Sequence, residues 1–178
     1  MKKACYYLSV ALLAIFTSCG EDKDPDPKMN PEGSFTVNGE AFNLDFGYKE
    51  DFGSNDNGSF DVDVYLSSEA IDLNTDGESL SNISVVYLDL NTNQRNELQT
   101  GTYTYGDERD ELVMVDASVG ANISTDANGD VISGTLYIIV DGSVTITQSG
   151  DNYTISFTLT STEGTTITGS YTGTISAA

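Results

Sequence analysis

The sequence predicts an all-β domain over residues 34–178, an antiparallel β-sandwich of about nine to ten strands, and three observations carry this prediction. Short runs alternate apolar and polar residues with the period of two that a half-buried strand requires. Clusters of Gly, Asn and Asp, residues that tolerate tight turns, separate these runs at short intervals. No stretch repeats apolar residues at the spacing of an amphipathic helix, and Glu69 to Asn74 offers one turn at most. A closed, lipocalin-like antiparallel barrel satisfies the same pattern and is the alternative.

Each element follows in order. Phe35-Thr36-Val37, Asn38-Gly39 and Ala41 to Phe46 form a hairpin signature, because Asn-Gly supplies the positive φ angles of a two-residue turn. Tyr48 and Phe52 then fall in a loop-like stretch, aromatics that a core does not demand. Phe60, Val62, Val64 and Leu66 share one strand face, with Asp61, Asp63 and Tyr65 on the other. Ile83 to Leu90 and Leu98 to Tyr105 are two more strands around the turn-rich segment 91–96. Leu112 to Ile123 places Val113, Val115, Ala117, Val119, Ala121 and Ile123 on its apolar side. After a turn at 126–130 come a strand from Val131 to Val140, a break at Asp141-Gly142, and a further strand around Val144-Thr145-Ile146. A hairpin at 149–152 leads to Tyr153, Ile155, Phe157 and Leu159. The last strand sets Ile167, Gly169, Tyr171, Gly173 and Ile175 on one face, where the two glycines leave room for curvature or for a neighbouring aromatic ring.

The N-terminus is of another kind. Met1-Lys2-Lys3 is positively charged, Ala4 to Phe16 is a weakly polar to apolar run of 13 residues, and Thr17-Ser18-Cys19-Gly20 are small. Charge, a short apolar core and small residues in that order form a secretory signal over residues 1–18, and the run falls short of the ~20 residues of a spanning helix. Residues 19–33 follow as an acidic tether holding all three prolines, Pro25, Pro27 and Pro31. Phe16-Thr17-Ser18-Cys19 resembles a lipobox, and Glu21-Asp22-Lys23-Asp24 after it resembles the acidic tag of surface lipoproteins of the Bacteroidetes type. The C-terminal stretches 142–160 and 167–175, with Leu98 to Tyr103 before them, are similar to the ending of such lipoproteins. The resemblance implies acylation of Cys19 by fatty chains such as palmitate and an address at the outer membrane, on the cell surface or, alternatively, the periplasmic face. It assigns no further functional residue.

Charge and composition narrow the function. Seven basic residues stand against 28 acidic ones, a net charge of -21. Such a chain repels phosphate backbones and anionic headgroups, which excludes nucleic acid as a partner and leaves the lipid as the contact with the membrane. There is no histidine, and the two cysteines, Cys5 and Cys19, lie in or beside the signal, so the domain has no imidazole base and no disulfide. These absences speak against an enzyme and for a binding or accessory module for a glycan or an envelope protein. The alternatives are a small apolar ligand carrier, with a lumen lined by residues such as Ile138, Phe157 and Tyr171, and a structural subunit of an envelope complex. The latter calls for an unpaired edge strand or an apolar surface patch.

Two local patterns are candidate sites. Asp72-Leu73-Asn74-Thr75-Asp76-Gly77 offers oxygen ligands at alternate positions and a glycine for the bend, the opening of a Ca²⁺ loop with Asp72, Asn74 and Asp76 as ligands. Ile83 occupies the twelfth position, where an acidic ligand belongs, and no clear helix enters or leaves, so an ordinary Asp/Asn/Gly-rich connector is the first reading of these residues and a partial Ca²⁺ site the second. Asn55-Asp56-Asn57-Gly58 and Asp126-Ala127-Asn128-Gly129 are turns of similar composition. Ten tyrosines without a tryptophan suggest a second site. Tyr65, Tyr103 and Tyr105 are candidates for an exposed ligand patch, against the alternative of core or rim tyrosines whose hydroxyls reach water.

Overall fold

The computed structural model describes residues 32–73 and 79–177. Eleven strands run through them: β1 (Glu32–Val37), β2 (Glu40–Asn43), β3 (Phe46–Ser54), β4 (Phe60–Ser67), β5 (Ile83–Thr92), β6 (Gly101–Tyr105), β7 (Val113–Thr125), β8 (Val131–Ser149), β9 (Asn152–Ser161), β10 (Thr166–Gly173) and β11 (Ser176–Ala177). No helix occurs among the described residues, and the chain is all-β as expected. The expected export signal, Cys19 and most of the tether lie outside the described residues. Glu32 and Gly33, assigned to the tether from sequence, already pair in β1.

All the strands join one sheet in the order β11-β3-β4-β5-β7-β6-β8-β9-β10-β1-β2, antiparallel except at β3–β11 and β6–β7. The strands of the expected sandwich lie in a single continuous sheet, curled into a half-barrel around one core. The two-residue link between β2 and β3 stitches the curl together. Leu44 N donates to Gly33 O at 2.9 Å and Asp45 N to Ser67 O at 2.7 Å, tying β1 to the end of β4.

The concave face is filled by side chains that alternate along the strands: Val62, Val64 and Leu66 from β4, Val86, Leu88 and Leu90 from β5, and Ile155, Phe157 and Leu159 from β9. Each such side chain contributes roughly 1.5–3 kcal/mol by leaving water. Tyr103, Tyr171, Phe35 and Leu44 fill the middle and are fully buried. Phe157 and Tyr171 are therefore core, while Ile138 is 47% exposed on the other face, and the three do not line one lumen.

Four elements depart from the sequence reading. Tyr48 and Phe52 lie in β3 rather than a loop, although Phe52 is free of the core. β6 starts at Gly101, with Leu98 buried just before it. In β7 the register with β5 slips between Asp89↔Asp116 and Leu90↔Met114, so Met114 points into the core in place of Val113 and Val115. An extra residue in one strand reverses the inward phase, which a strict period of two does not foresee. Finally, β8 is one strand of 19 residues where a break at Asp141-Gly142 was expected. The register with β9 shifts between Ile139 and Asp141, and Gly142 follows at φ +136° opposite Leu159, a geometry that bends the strand without ending it.

β7 and β8 pair near their connecting turn, from Ser118↔Ile138 to Thr125↔Val131, then diverge. β6 fills the fork, pairing Thr104 with Val113 on one side and Ser143 on the other. β9 joins β8 only from Ile139 onward. The carbonyl of Ile138 still accepts from Thr162 N at 2.9 Å on the β9 side, so among the described residues Val131 to Tyr137 has a ladder on one side alone.

Candidate functional site

The register across β3, β4, β5 and β7 builds two rows on the outer face of the sheet. Tyr48, Tyr65 and Tyr87 pair in line across β3, β4 and β5. Beside them run Glu50, Asp63, Asp89 and Asp116, one from each strand. Like charges directly opposite one another destabilise a sheet, so this row needs compensation.

Three groups supply it. The Tyr65 and Tyr87 rings tilt against each other with centroids 5.3 Å apart, and the Tyr65 hydroxyl donates to Asp63 Oδ2 at 3.2 Å. Arg109, from the segment between β6 and β7, donates Nη1 to Asp61 Oδ2 and places Nη2 3.5 Å from Asp89 Oδ2. The turn at 55–58 holds that segment: Asn57 Nδ2 donates to Arg109 O at 2.8 Å and to Asp110 Oδ1 at 2.9 Å. Asn55 Nδ2 donates to Asn91 Oδ1 at 2.7 Å, fastening the same turn to β5.

One carboxylate oxygen each from Asp61, Asp63 and Asp89 lies within 4.8 Å of the others. Asp63 and Asp89 are each 7% exposed, and burial pushes Asp63 up to about 6 and Asp89 up to about 7. The tyrosine hydroxyls pull Asp63 back; Asp61 raises Asp89 further and Arg109 lowers it. Burial, then the Asp63 charge, raises Tyr65 and Tyr87, which stay protonated as donors. Asp61 Oδ1 and Asp89 Oδ1 are buried without a hydrogen-bond partner. With their oxygens and the donor set around them, these three residues are the described group best suited to a hard cation.

The expected tyrosine patch does not assemble. Tyr65 is half-buried on the outer face of β4, but Tyr103 is fully buried in the core, its hydroxyl donating to Gln99 O at 2.9 Å. Tyr105 shares the Tyr103 face and packs partly against the core. β6 fills the fork between β7 and β8, so its apolar side must face inward; this corrects the placement of Tyr103 and Tyr105 with Tyr65. Of the expected Ca²⁺ loop, Asp72 is exposed, and Asn74 and Asp76 lie outside the described residues.

A second feature lies on β8. Ile132, Leu136, Ile138 and Val140 form an alternating, exposed apolar stripe, and Val131 at the start of the strand is exposed as well. No charged residue occurs from Val131 to Val140, whereas Asp130 and Asp141 bracket the segment. Long apolar edges of this kind are usually blunted by charge or proline. Sequence reasoning missed both features. Asp61, Asp63 and Asp89 alternate with core residues as a solvated face does, and only the β4–β5 register brings them together. The uncharged run at 131–140 was the legible signal for β8.

Comparison with protein-family models, with curated proteins and with solved structures finds no match for this chain.

Proposed function

We propose that this chain is a non-enzymatic, lipid-anchored envelope module whose first half of β8 docks an extended segment of an envelope protein. The observation that carries the reading is the β8 edge, with a ladder on one side, an apolar stripe and no charge between Asp130 and Asp141. A strand added there gains main-chain hydrogen bonds, while its alternate side chains cover the stripe. A register shift opposite Gly134 divides the edge into two short runs, which favours a short guest strand.

Charge selects the guest. Two copies pairing antiparallel about Thr135 and Leu136 would set Asp130 of one against Asp141 of the other, a repulsive arrangement. A segment of alternating apolar residues flanked by Lys or Arg fits both stripe and brackets. The anchor, acylated Cys19, comes from the lipobox resemblance and keeps the module where such a partner is encountered.

Catalysis is disfavoured by the absence of histidine and by the covering of the raised carboxylates. Asp63 and Asp89 lie under Tyr65, Tyr87 and Arg109, and the open concavities around Glu40, Phe42 and Asn122 and around Lys49 and Arg95 include none of the three carboxylates. A glycan is the second reading, favoured by the Tyr48–Tyr65–Tyr87 row beside acidic groups that accept sugar hydroxyls.

The test is fluorescence anisotropy with a labelled peptide of alternating valine and threonine flanked by lysines, against the same peptide flanked by glutamates. Saturable binding of the lysine form, lost in the Ile132→Lys/Leu136→Lys protein and weak for the glutamate form, is expected. Equal affinity for both peptides, or a dimer of the free protein by light scattering that the double variant dissolves, would overturn the docking assignment.

A further inference from the structure

We propose that Asp61, Asp63 and Asp89 bind one calcium ion on the outer face of β4 and β5. This site is separate from the β8 edge and from the expected loop at Asp72, and it stands whether or not the docking proposal does.

Ligands surrounding Ca²⁺ at about 2.4 Å can be no more than about 4.8 Å apart. The three carboxylates meet that limit, with one oxygen each inside 4.8 Å of the others. Independent of this convergence is the state of the individual atoms. The Asp89 side chain is nine-tenths buried, and its Oδ1 has neither solvent nor a hydrogen-bond partner; Asp61 Oδ1 is in the same condition. A buried carboxylate oxygen without a donor is costly, and the two carboxylates that converge here each carry one. A proton or a cation held by these carboxylates relieves that cost.

Arg109 does not fill that role. It engages the Oδ2 atoms of Asp61 and Asp89, which orients the carboxylates and leaves both Oδ1 atoms without a partner. Three carboxylates and one guanidinium leave a formal charge of two minus, the complement of a divalent ion. Tyr65, donating to Asp63 Oδ2, fixes the third carboxylate in the same way. The ligands are all oxygen, which selects a hard ion over zinc or copper, and water completes the shell.

The test uses the full chain stripped with chelator. Calorimetric titration with CaCl₂ is expected to show one site per chain, and melting temperature is expected to rise with saturating calcium. Asp89→Asn and Asp61→Asn should each weaken binding at least tenfold, whereas Asp72→Asn should leave it unchanged. Terbium provides a local readout, since the protein has no tryptophan and Tyr65 lies at the site. Tyrosine-sensitised terbium emission should fall severalfold in the Tyr65→Phe/Tyr87→Phe protein and be displaced by calcium. If Asp89→Asn does not fold by circular dichroism, Asp61→Asn and the terbium signal decide. Absence of a calcium heat and of any melting shift at millimolar calcium assigns the gap to a shared proton and overturns the proposal. So does a site abolished by Asp72→Asn and kept in Asp61→Asn.

Discussion

Tyr171 illustrates how a single side chain couples the core to pH. It is fully buried, and its hydroxyl donates to Thr174 O at 2.9 Å, near the turn that carries the chain from β10 to β11. Burial pushes it up to about 12 from the usual 10, so between these values the folded chain keeps a proton that the unfolded chain releases. Stability must then fall as pH rises from 10 to 12. Denaturant midpoints at pH 9, 10 and 11 should decline for the natural chain and decline less for Tyr171→Phe. The substitution itself costs about 1 kcal/mol at pH 9 through the lost hydrogen bond. Residue identity made Tyr171 legible as core, on the face of Ile167. It did not make the site legible: Asp63 and Asp89 are 26 positions apart and become neighbours only through the pairing of β4 with β5. The local pattern did distinguish buried Tyr103 from half-buried Tyr65, since Tyr103 alternates with Thr102 and Thr104 whereas Tyr65 alternates with Val64 and Leu66 and shares its face with Asp61 and Asp63.

At the scale of the element, β9 and β10 show how a missing side chain becomes a packing device. Gly169 pairs with Phe157, and a Cβ at Gly169 would lie 2.5 Å from Phe157 Cζ and 2.6 Å from Ser34 O. The gap expected from sequence is thus filled by the aromatic ring, with the β1 backbone pressed against the other side. Gly169→Ala should destabilise by roughly 1–3 kcal/mol through overpacking, measured as a lower urea midpoint at unchanged slope. Gly169→Ala combined with Phe157→Leu should recover part of the loss, because the clash with the ring is then relieved. β7 and β8 are the elements whose patterns misled. Each carries a bulge, and one extra residue reverses which side chains face the core without altering the composition of the strand.

At the scale of the whole molecule, the domain is joined to a proposed address. The domain is a curled sheet whose β8 edge and acidic outer face look away from the core. The address comes from residues 1–19, where the lipobox resemblance proposes acylation at Cys19. Expressed in its native envelope, the Cys19→Ser protein should move from the membrane pellet to the soluble fraction while keeping its β-sheet circular dichroism. Persistence in the pellet after a carbonate wash would count against lipid anchoring. The sequence alone settled the all-β class, most strand positions, the Asn38-Gly39 hairpin and the exclusion of a disulfide within the domain, because these follow from local alternation, turn chemistry and residue inventory. Only the tertiary structure decided that the strands form one curled sheet, that three aspartates converge beside two tyrosines, and that β8 keeps a free edge from Val131 to Tyr137 among the described residues. Each of those depends on which strand lies beside which, and pairing between distant segments is set by how the entire core closes rather than by any local run of residues.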